Sequence, residues 1–217
     1  MVVYSGLVAR NPGRRTQLAD AAVRVLAQQG SRGLTHRAID AEAEVPRGTA
    51  SNYFGSRDDI VDAILRRIGE RLAPDPDVHA ELARRPRGVE LFADYVRDIV
   101  HRLTGDRDAT LALFELRIEA TRKASVAEAV ATWLRTGLDA DVAFNTQAGL
   151  PGGRWEIVLF HYALDGLILD QLTVPIDESV DADRAVDVLV ERLLPDRTGS
   201  GTTSADVPPP GPAGGRP

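Results

Sequence analysis

Two short helical segments separated by a tight turn lie at residues 35–57, and they limit how the rest of the chain can fold. The first segment has a small apolar face around Ile39. The turn falls at 44–46, where a proline closes the sequence E-V-P, and the second segment follows at about 47–54. A helix this short does not persist alone in water. We therefore expect the second segment to be docked on a helical scaffold.

The second segment carries polar side chains on the side that docking leaves free. These are Arg47, Thr49, Ser51, Asn52 and Tyr53. Guanidinium, hydroxyl, amide and phenol groups suit contacts to phosphates and to base edges. A helix, a turn and a second polar helix form the helix-turn-helix arrangement, in which the second helix enters the major groove of DNA.

The charge distribution supports a polyanionic partner for the N-terminal part of the chain. The net charge of the whole chain is -6, but residues 1–57 hold 8 Lys/Arg against 4 Asp/Glu, whereas the remainder holds 18 against 28. A basic end favours DNA, and an acidic body limits non-specific adhesion to it.

Composition excludes several other classes of protein. A length of 217 residues allows one large domain or two small ones, and 5% aromatic residues disfavour an all-β fold. The absence of cysteine excludes disulfides and thiolate sites and fits a reducing cytoplasm. No apolar run reaches the roughly 20 residues of a membrane span. The first eight residues lack the pattern of a signal peptide, so we expect a cytoplasmic protein.

Apolar residues recur at helical spacing on both sides of the central segment. A first helix is predicted at 14–29 and ends at Gly30, and a helix capped by Ser56 runs to about Leu72. Residues 73–88 form a Pro-rich connection with one helical turn near 78–82. Further helices are predicted at about 92–103, 108–123, 126–144, 154–172 and 180–194, with a loop at 145–153.

Three motifs carry a resemblance to a known family. They are T-x-x-A-I-x-x-x-A at 35–43, V-P-R-G-T at 45–49 and N-Y-F-G-S-R-D-D-I at 52–60. With the preceding amphipathic helix, residues 14–72 resemble the N-terminal domain of TetR-type (TetR/AcrR family) transcriptional regulators. The resemblance implies an all-α fold, with an N-terminal three-helix helix-turn-helix domain and a C-terminal helical domain for ligand binding and dimerisation.

Domain boundaries follow from the same resemblance and from composition. We predict a flexible basic arm at 1–13, a helix-turn-helix domain at 14–56 and a helical regulatory and dimerisation domain at 57–194, which begins with a connecting helix at 57–72. The arm is either a solvated tail or a source of extra phosphate and minor-groove contacts. Residues 195–217 are rich in Pro, Gly, Ser and Thr and are predicted to be disordered.

The resemblance and the side-chain chemistry together assign roles in DNA binding. Thr35 would cap the first helix of the pair and touch phosphate. Base or near-base contacts would come from Arg47, Thr49 and Asn52, phosphate contacts from Tyr53 and Arg57, and close backbone approach from Gly48. Tyr53 and Phe54 have packing of the small domain as their alternative role.

Two positions depart from the family pattern. Glu44 stands where the family usually has glycine in the turn, so we expect the turn to be strained or reshaped. Ser51 stands where an aromatic residue is frequent, so we expect one usual phosphate contact to be missing or replaced by a hydroxyl.

The late helix at 154–172 is apolar on nearly all sides, which indicates burial on all sides. Its own chain can cover one side and a partner chain the other. With the helix at 180–194, two chains would form an intermolecular four-helix bundle, as the family does. Such a homodimer suits a palindromic operator of double-stranded DNA, with half-sites about 34–36 Å apart or a multiple of that.

Polar and aromatic residues within the body are candidates for binding a small-molecule effector. They are Phe92, Tyr95, Phe114, Trp133, Trp155, His161 and Asp165. The alternatives are plain core packing for the aromatics, and a mutual pair or a place at the dimer seam for His161 and Asp165. A polar line of Glu115, Glu119 and Arg122 is expected to be solvated or self-paired.

The sequence thus predicts a transcriptional repressor that a small molecule releases from its operator. One alternative is a DNA-binding regulator without a small-molecule inducer. A small all-helical enzyme is a further alternative, but none of the common catalytic or nucleotide-binding motifs occurs. No cofactor and no metal site are predicted.

Overall fold

A computed structural model describes residues 11–194, which form ten helices. The predicted basic arm, apart from its last three residues, and the predicted disordered tail lie outside the described residues. The helices are α1 (Pro12–Gly33), α2 (His36–Glu42), α3 (Thr49–Tyr53), α4 (Arg57–Arg71), α5 (Pro76–Leu82), α6 (Val89–Gly105), α7 (Arg107–Ala120), α8 (Ala124–Ala148), α9 (Arg154–Leu172) and α10 (Ala182–Leu193). No strand occurs within this range, and the predicted all-α fold is confirmed.

Helix α1 begins earlier than predicted, so the last residues of the expected arm are helical. The side chain of Asn11 accepts a hydrogen bond from the Gly13 amide at 3.0 Å, and Pro12 suits the first turn of a helix. At the other end Gly30 has φ 65°, which interrupts the regular helix as predicted. A short helical turn then continues to Gly33.

Two connections are more ordered than predicted. The single turn expected near 78–82 is the helix α5, which Asp75 caps. The loop expected from Asn145 begins only at Gly149, because Asn145 is a buried residue of α8. Its amide Nδ2 donates to the carbonyls of residues 150, 151 and 152 at 3.5, 3.3 and 3.1 Å. These bonds hold the loop against the end of α8.

Buried side chains form two clusters. The first, here called the N-terminal core, joins α1, α2, α3 and α4 to α7 and α8, with Leu26, Ile64 and Leu116 all fully buried. The second, the body core, joins α6, α9 and α10. The N-terminal core therefore continues across the predicted domain boundary at 56/57. Helices α1 and α4, which flank the helix-turn-helix segment, pack directly on α7.

Helix α9 is the most apolar of the late helices, but it is buried on one face only. Ile157, Phe160, Leu164 and Ile168 face the body core. The opposite face leaves large apolar side chains in solvent. None of the helices in residues 11–194 is both long enough and apolar enough to cross a membrane.

Candidate nucleic-acid interface and regulatory site

A buried carboxylate holds the second helix of the pair in place. Asp40 is 3% exposed, and its two oxygens accept hydrogen bonds from the amides of Gly48 and Ala50, both at 2.7 Å. These amides lie at the start of α3, where amides have no partner within the helix. Because Ala50 is also fully buried, α3 is docked through its first turn.

Docking leaves the predicted polar face of α3 in solvent. Arg47, Gly48, Ser51 and Asn52 are exposed, and Thr49 is half-buried. The hydroxyls of Thr49 and Ser51 bond locally, to the carbonyls of residues 46 and 48 at 2.5 and 2.9 Å. Within residues 11–194, no hydrogen bond or ion pair engages the side chain of Arg47 or of Asn52. Both are thus available to an external partner.

The edges of this surface are fixed by contacts to α1 and α2. Thr35 caps α2 as predicted, accepting from the Ala38 amide at 3.1 Å, and it is exposed. Phe54 is fully buried, as its packing alternative requires, and Tyr53 packs partly against the N-terminal core. Arg15 donates to the Tyr53 carbonyl at 3.0 Å, so α1 also holds the end of α3.

The turn between α2 and α3 has the conformation that glycine usually adopts. Glu44 has φ 53°, and it is the single non-glycine residue with positive φ within residues 11–194. Its amide donates to the Ala41 carbonyl at 3.2 Å, and its side chain is exposed. The predicted strain at this departure from the family pattern is therefore present, while the shape of the turn is kept.

Arg57 differs from the phosphate contact that the resemblance implies. Its guanidinium points inward and donates to the carbonyls of Ser31 and Leu34, both at 2.9 Å. It also donates to both carboxylate oxygens of Glu119 at 2.9 and 3.1 Å. In this arrangement Arg57 joins the end of α1 to α7, and its guanidinium is not part of the exposed polar face of α3.

Glu119 is the buried centre of this junction, and the expectation of a solvated or self-paired line is wrong for it. It is 1% exposed and also accepts from Lys123 at 2.6 Å. Burial raises the pKa of its carboxyl group, but hydrogen bonds from Lys123, Ser31 and Arg57 outweigh burial and hold the pKa below its ordinary value. The signal in the sequence was an acid within a helix that is apolar on several sides.

A second ion-pair group joins α4 to its neighbours. Arg71 donates to both oxygens of Asp106, at 2.7 and 2.5 Å, and Arg67 donates to Asp20 at 2.7 Å. Burial raises the pKa of Asp106, but the hydrogen bonds from Arg71 and the Ala109 amide lower it below its ordinary value. Helix α4 is thus tied at its end to both α1 and α7.

The predicted effector-binding residues lie in different surroundings. Phe92 and Tyr95 are buried in the body core, with ring centroids 4.9 Å from Phe160 and 5.0 Å from Phe144 respectively. Phe114 packs partly against the same core, whereas Trp155 is 67% exposed. Phe92, Tyr95 and Phe114 therefore fill space between helices, as their alternative role supposed, whereas Trp155 does not.

His161 and Asp165 share a face of α9 but do not pair with each other. His161 Nε2 lies 3.0 Å from Asp141 on α8, and Asp165 accepts from Arg117 on α7 at 2.6 Å. The mutual pair expected from their spacing is therefore wrong, because each side chain meets a different neighbouring helix. No cluster of residues suited to holding a metal ion occurs in the described part of the chain.

A cleft of about 850 Å³ opens between α4 and α8. Among the predicted effector-binding residues, only Trp133 lines it. Its walls come from α4 at Asp58, Val61, Asp62, Leu65 and Arg66, and from α8 at Ser125, Glu128, Ala129, Thr132, Trp133, Thr136, Gly137 and Ala140. Because α4 also follows directly on the α3 segment, this cleft adjoins the candidate DNA-binding surface.

An all-helical chain with a helix-turn-helix at one end and a separate body core belongs to the class of DNA-associated regulatory proteins. A model described as bacterial regulatory proteins of the tetR family matches residues 18–64, and one described as the tetracyclin repressor-like C-terminal domain matches residues 87–196. Together they span both parts of the chain. The chain belongs to the TetR family of bacterial regulatory proteins.

Relatives and solved structures agree with this assignment. The transcriptional regulator BetI of Brucella abortus is 35% identical over 79 residues, which is 36% of this chain and 40% of BetI. The chain therefore matches about two fifths of the length of its curated relatives. The multidrug binding protein EbrR, complexed with imidazole, is 33% identical with a TM-score of 0.58 over 85% of this chain and 97% of EbrR.

Two further structures extend the comparison. The TetR family member SCO1917 of Streptomyces coelicolor is 31% identical, with a TM-score of 0.64 over 85% of this chain and 99% of its own. FadR of Bacillus subtilis, in complex with stearoyl-CoA, is 21% identical with a TM-score of 0.62 over 82% of this chain and 97% of FadR. The likeness to FadR concerns the fold alone.

Proposed function

We propose that this chain is a sequence-specific DNA-binding regulator, a homodimeric repressor that a small molecule releases from a palindromic operator. The observation that carries the proposal is the polar face of α3, which the buried carboxylate of Asp40 anchors and on which Arg47 and Asn52 are exposed without a side-chain partner among residues 11–194. Arg47 and Asn52 suit base edges or phosphates, and Thr35 and Ser51 flank them with hydroxyls. A bacterial operator lies in the cytoplasm, and so would the protein.

The exposed face of α9 supports a homodimer through α9 and α10. Trp155 and Tyr162 are each 67% exposed and Leu169 is 43% exposed, and their spacing of seven places them along one side of the helix. Val188 of α10 is a further exposed apolar residue. Such a set exceeds the scattered apolar residues of an ordinary surface and suits burial against a second copy.

A small-molecule effector is supported by the relatives. EbrR is described as a multidrug binding protein and forms complexes with imidazole, ethidium and proflavin. Here, α4 passes from the α3 segment into the body and borders a cleft. A coupling of about 1–3 kcal/mol between cleft and operator would weaken DNA binding several-fold to about a hundredfold.

The test is footprinting on the DNA that flanks the gene, with the wild type and single alanine variants. Arg47→Ala and Asn52→Ala should each weaken operator binding by about 1–3 kcal/mol, because each removes a base or phosphate contact. Arg135→Ala is the matched control, since Arg135 is an exposed arginine on α8 and lies outside the helix-turn-helix segment. The absence of a protected palindrome, or unchanged affinity in both variants, would contradict DNA binding. A monomer in sedimentation would contradict the dimer.

A regulator without a small-molecule inducer remains the second candidate. The observation that favours it is the packing of Phe92, Tyr95 and Phe160 in the body core, where the predicted aromatic rings contact other core side chains. A regulator of this kind should have the same operator affinity whatever small molecule is added. An operator-binding protein that also turned over a substrate would instead revive the enzyme alternative.

A further inference from the structure

The cleft between α4 and α8 is bounded where the two helices touch. Near their starts, Ser125 Oγ donates to Asp58 Oδ1 at 3.0 Å. Farther along, a Cβ on Gly69 of α4 would lie 3.6 Å from Nε1 of Trp133. Val61 and Leu65 are almost fully buried beneath the cleft, and Trp133 is half-buried beside them. The cleft thus has an apolar floor with an indole in its wall.

Gly137 keeps one part of the cleft open. It lies in the interior of α8, where glycine destabilises a helix relative to alanine. Its φ is not positive, and a Cβ added there would meet nothing within 4 Å, so neither conformation nor close packing demands glycine. Its effect on the structure is to leave space beside Thr136 and Ala140 in the wall of the cleft.

The charges around the cleft favour one class of occupant. Three carboxylates, of Asp58, Asp62 and Glu128, line it against the single guanidinium of Arg66. Asp62 and Glu128 are exposed. Within residues 11–194, their carboxylates form no hydrogen bond or ion pair with another residue. Unpaired carboxylates around an apolar floor attract a cation and repel an anion. An aromatic cation would also gain from the face of an indole.

We propose that this cleft is the effector site and that it takes a small, flat aromatic cation. The ring lies on the apolar floor beside Trp133, and the positive charge faces Asp62 and Glu128. The regulatory consequence rests on the proposed function, but binding at the cleft stands on its own. Because α4 begins four residues after the end of α3, an occupant that displaces α4 from α8 also displaces the DNA-binding segment.

Binding is tested on the full chain without DNA, because flat cations intercalate into DNA. The probe is an aminoacridine, and its counterpart is an acridine carboxylate, which has the same ring and the opposite charge. In a Trp155→Phe background, quenching of Trp133 fluorescence reports a ring placed beside the indole. We expect the aminoacridine to bind at least about tenfold more tightly than the carboxylate, as expected for charge selection near unpaired carboxylates.

Two cleft variants and one control locate the site. Asp62→Asn/Glu128→Gln removes the charge, and Gly137→Leu fills the space while improving helix propensity. Each should weaken aminoacridine binding about tenfold or more. The control, Glu81→Gln/Glu90→Gln, removes two exposed carboxylates from α5 and α6 and should bind like the wild type.

The outcomes separate the parts of the proposal. Unchanged binding in Asp62→Asn/Glu128→Gln, or equal binding of the carboxylate, overturns the ligand class. Unchanged binding in Gly137→Leu overturns the location. If the ligand-free wild type does not bind an operator, the proposed function is wrong. That result would not affect the measured binding of the aminoacridine in the cleft. When release from the operator by the aminoacridine is measured, Gly137→Leu at the same dye concentration is the control. Intercalation of the dye into DNA would displace the wild type and Gly137→Leu equally, whereas binding in the cleft would displace only the wild type.

Discussion

Arg47 and Arg57 lie in the same stretch of sequence, yet the structure uses them in opposite ways. Arg47 is exposed just before α3, and its side chain has no hydrogen-bond or ion-pair partner among residues 11–194. Arg57 is half-buried and donates hydrogen bonds to Ser31, Leu34 and Glu119. Two regions with similar polar side chains therefore have different roles. The α3 face is open to an external partner, and the junction of α1, α4 and α7 is satisfied internally.

The difference shows that the type of a side chain does not determine its role, whereas its partners do. A buried carboxylate that loses its partner, or a partner that loses its carboxylate, leaves an uncompensated group away from water. An exposed arginine that is removed leaves nothing unsatisfied, so its loss changes binding and not folding. This contrast can be tested by substitutions on both sides.

The largest effect is expected at the junction. Glu119→Ala should lower the free energy of unfolding by about 3 kcal/mol, because it leaves the guanidinium of Arg57 without its carboxylate in a site that is closed on one side. Urea denaturation followed by circular dichroism measures the change. Arg47→Ala on the α3 face should alter the free energy of unfolding by less than about 0.5 kcal/mol.

Equal losses of unfolding free energy in Glu119→Ala and Arg47→Ala would remove the distinction between the junction and the α3 face. A loss below about 1 kcal/mol in Glu119→Ala would show that Glu119 behaves like a surface pair in spite of its burial. Glu119→Gln separates charge from shape, because the amide keeps the volume and one acceptor oxygen. The free energy of unfolding of Glu119→Gln should lie between those of the wild type and Glu119→Ala.

Much of the α3 face could be predicted from local sequence, while the junction could not. The caps at Thr35 and Ser56 and the exposed polar set follow from spacing and cap chemistry, which involve neighbours within one turn. The pairing of Arg57 with Glu119 depends on how α1 and α4 pack on α7, across 62 positions of sequence. Periodicity likewise placed Phe92 and Tyr95 on buried faces, but not against Phe160 and Phe144.

The second effect concerns the buried support beneath the exposed face. Asp40→Ala removes the acceptor of two backbone amides, of Gly48 and Ala50, and should lower the free energy of unfolding by about 2 kcal/mol. It should also weaken operator binding, because the first turn of α3 loses its anchor. Glu81→Ala, at an exposed carboxylate of α5, should leave both quantities unchanged. A stable variant that kept full operator affinity would show that α3 is held by other contacts.

A smaller effect is expected from pH, because protonation removes the charge of a carboxylate but keeps its side chain in place. The pKa values of Glu119 and Asp106 lie below their ordinary values of 4.5 and 3.8 in the folded state. Each group therefore stabilises the protein fully above its ordinary pKa, and this contribution is lost as the pH falls through the folded pKa. The difference in unfolding free energy between wild type and Glu119→Gln should be constant above about pH 5 and should shrink below it. A difference that stayed constant to about pH 3 would contradict the role of the charged carboxylate.

The smallest effect lies in the turn that joins the two helices of the pair. Glu44 holds φ 53°, a region in which a side chain costs about 1–2 kcal/mol, whereas glycine enters it freely. Glu44→Gly also makes the unfolded chain more flexible, which offsets part of the gain. We expect a net stabilisation of about 0.5–1 kcal/mol in thermal or urea unfolding. Ala41→Gly, three positions earlier in helical α2, is the matched control and should lose about 1 kcal/mol. A loss in both variants would mean that the Glu44 side chain stabilises the turn by more than its backbone strain costs.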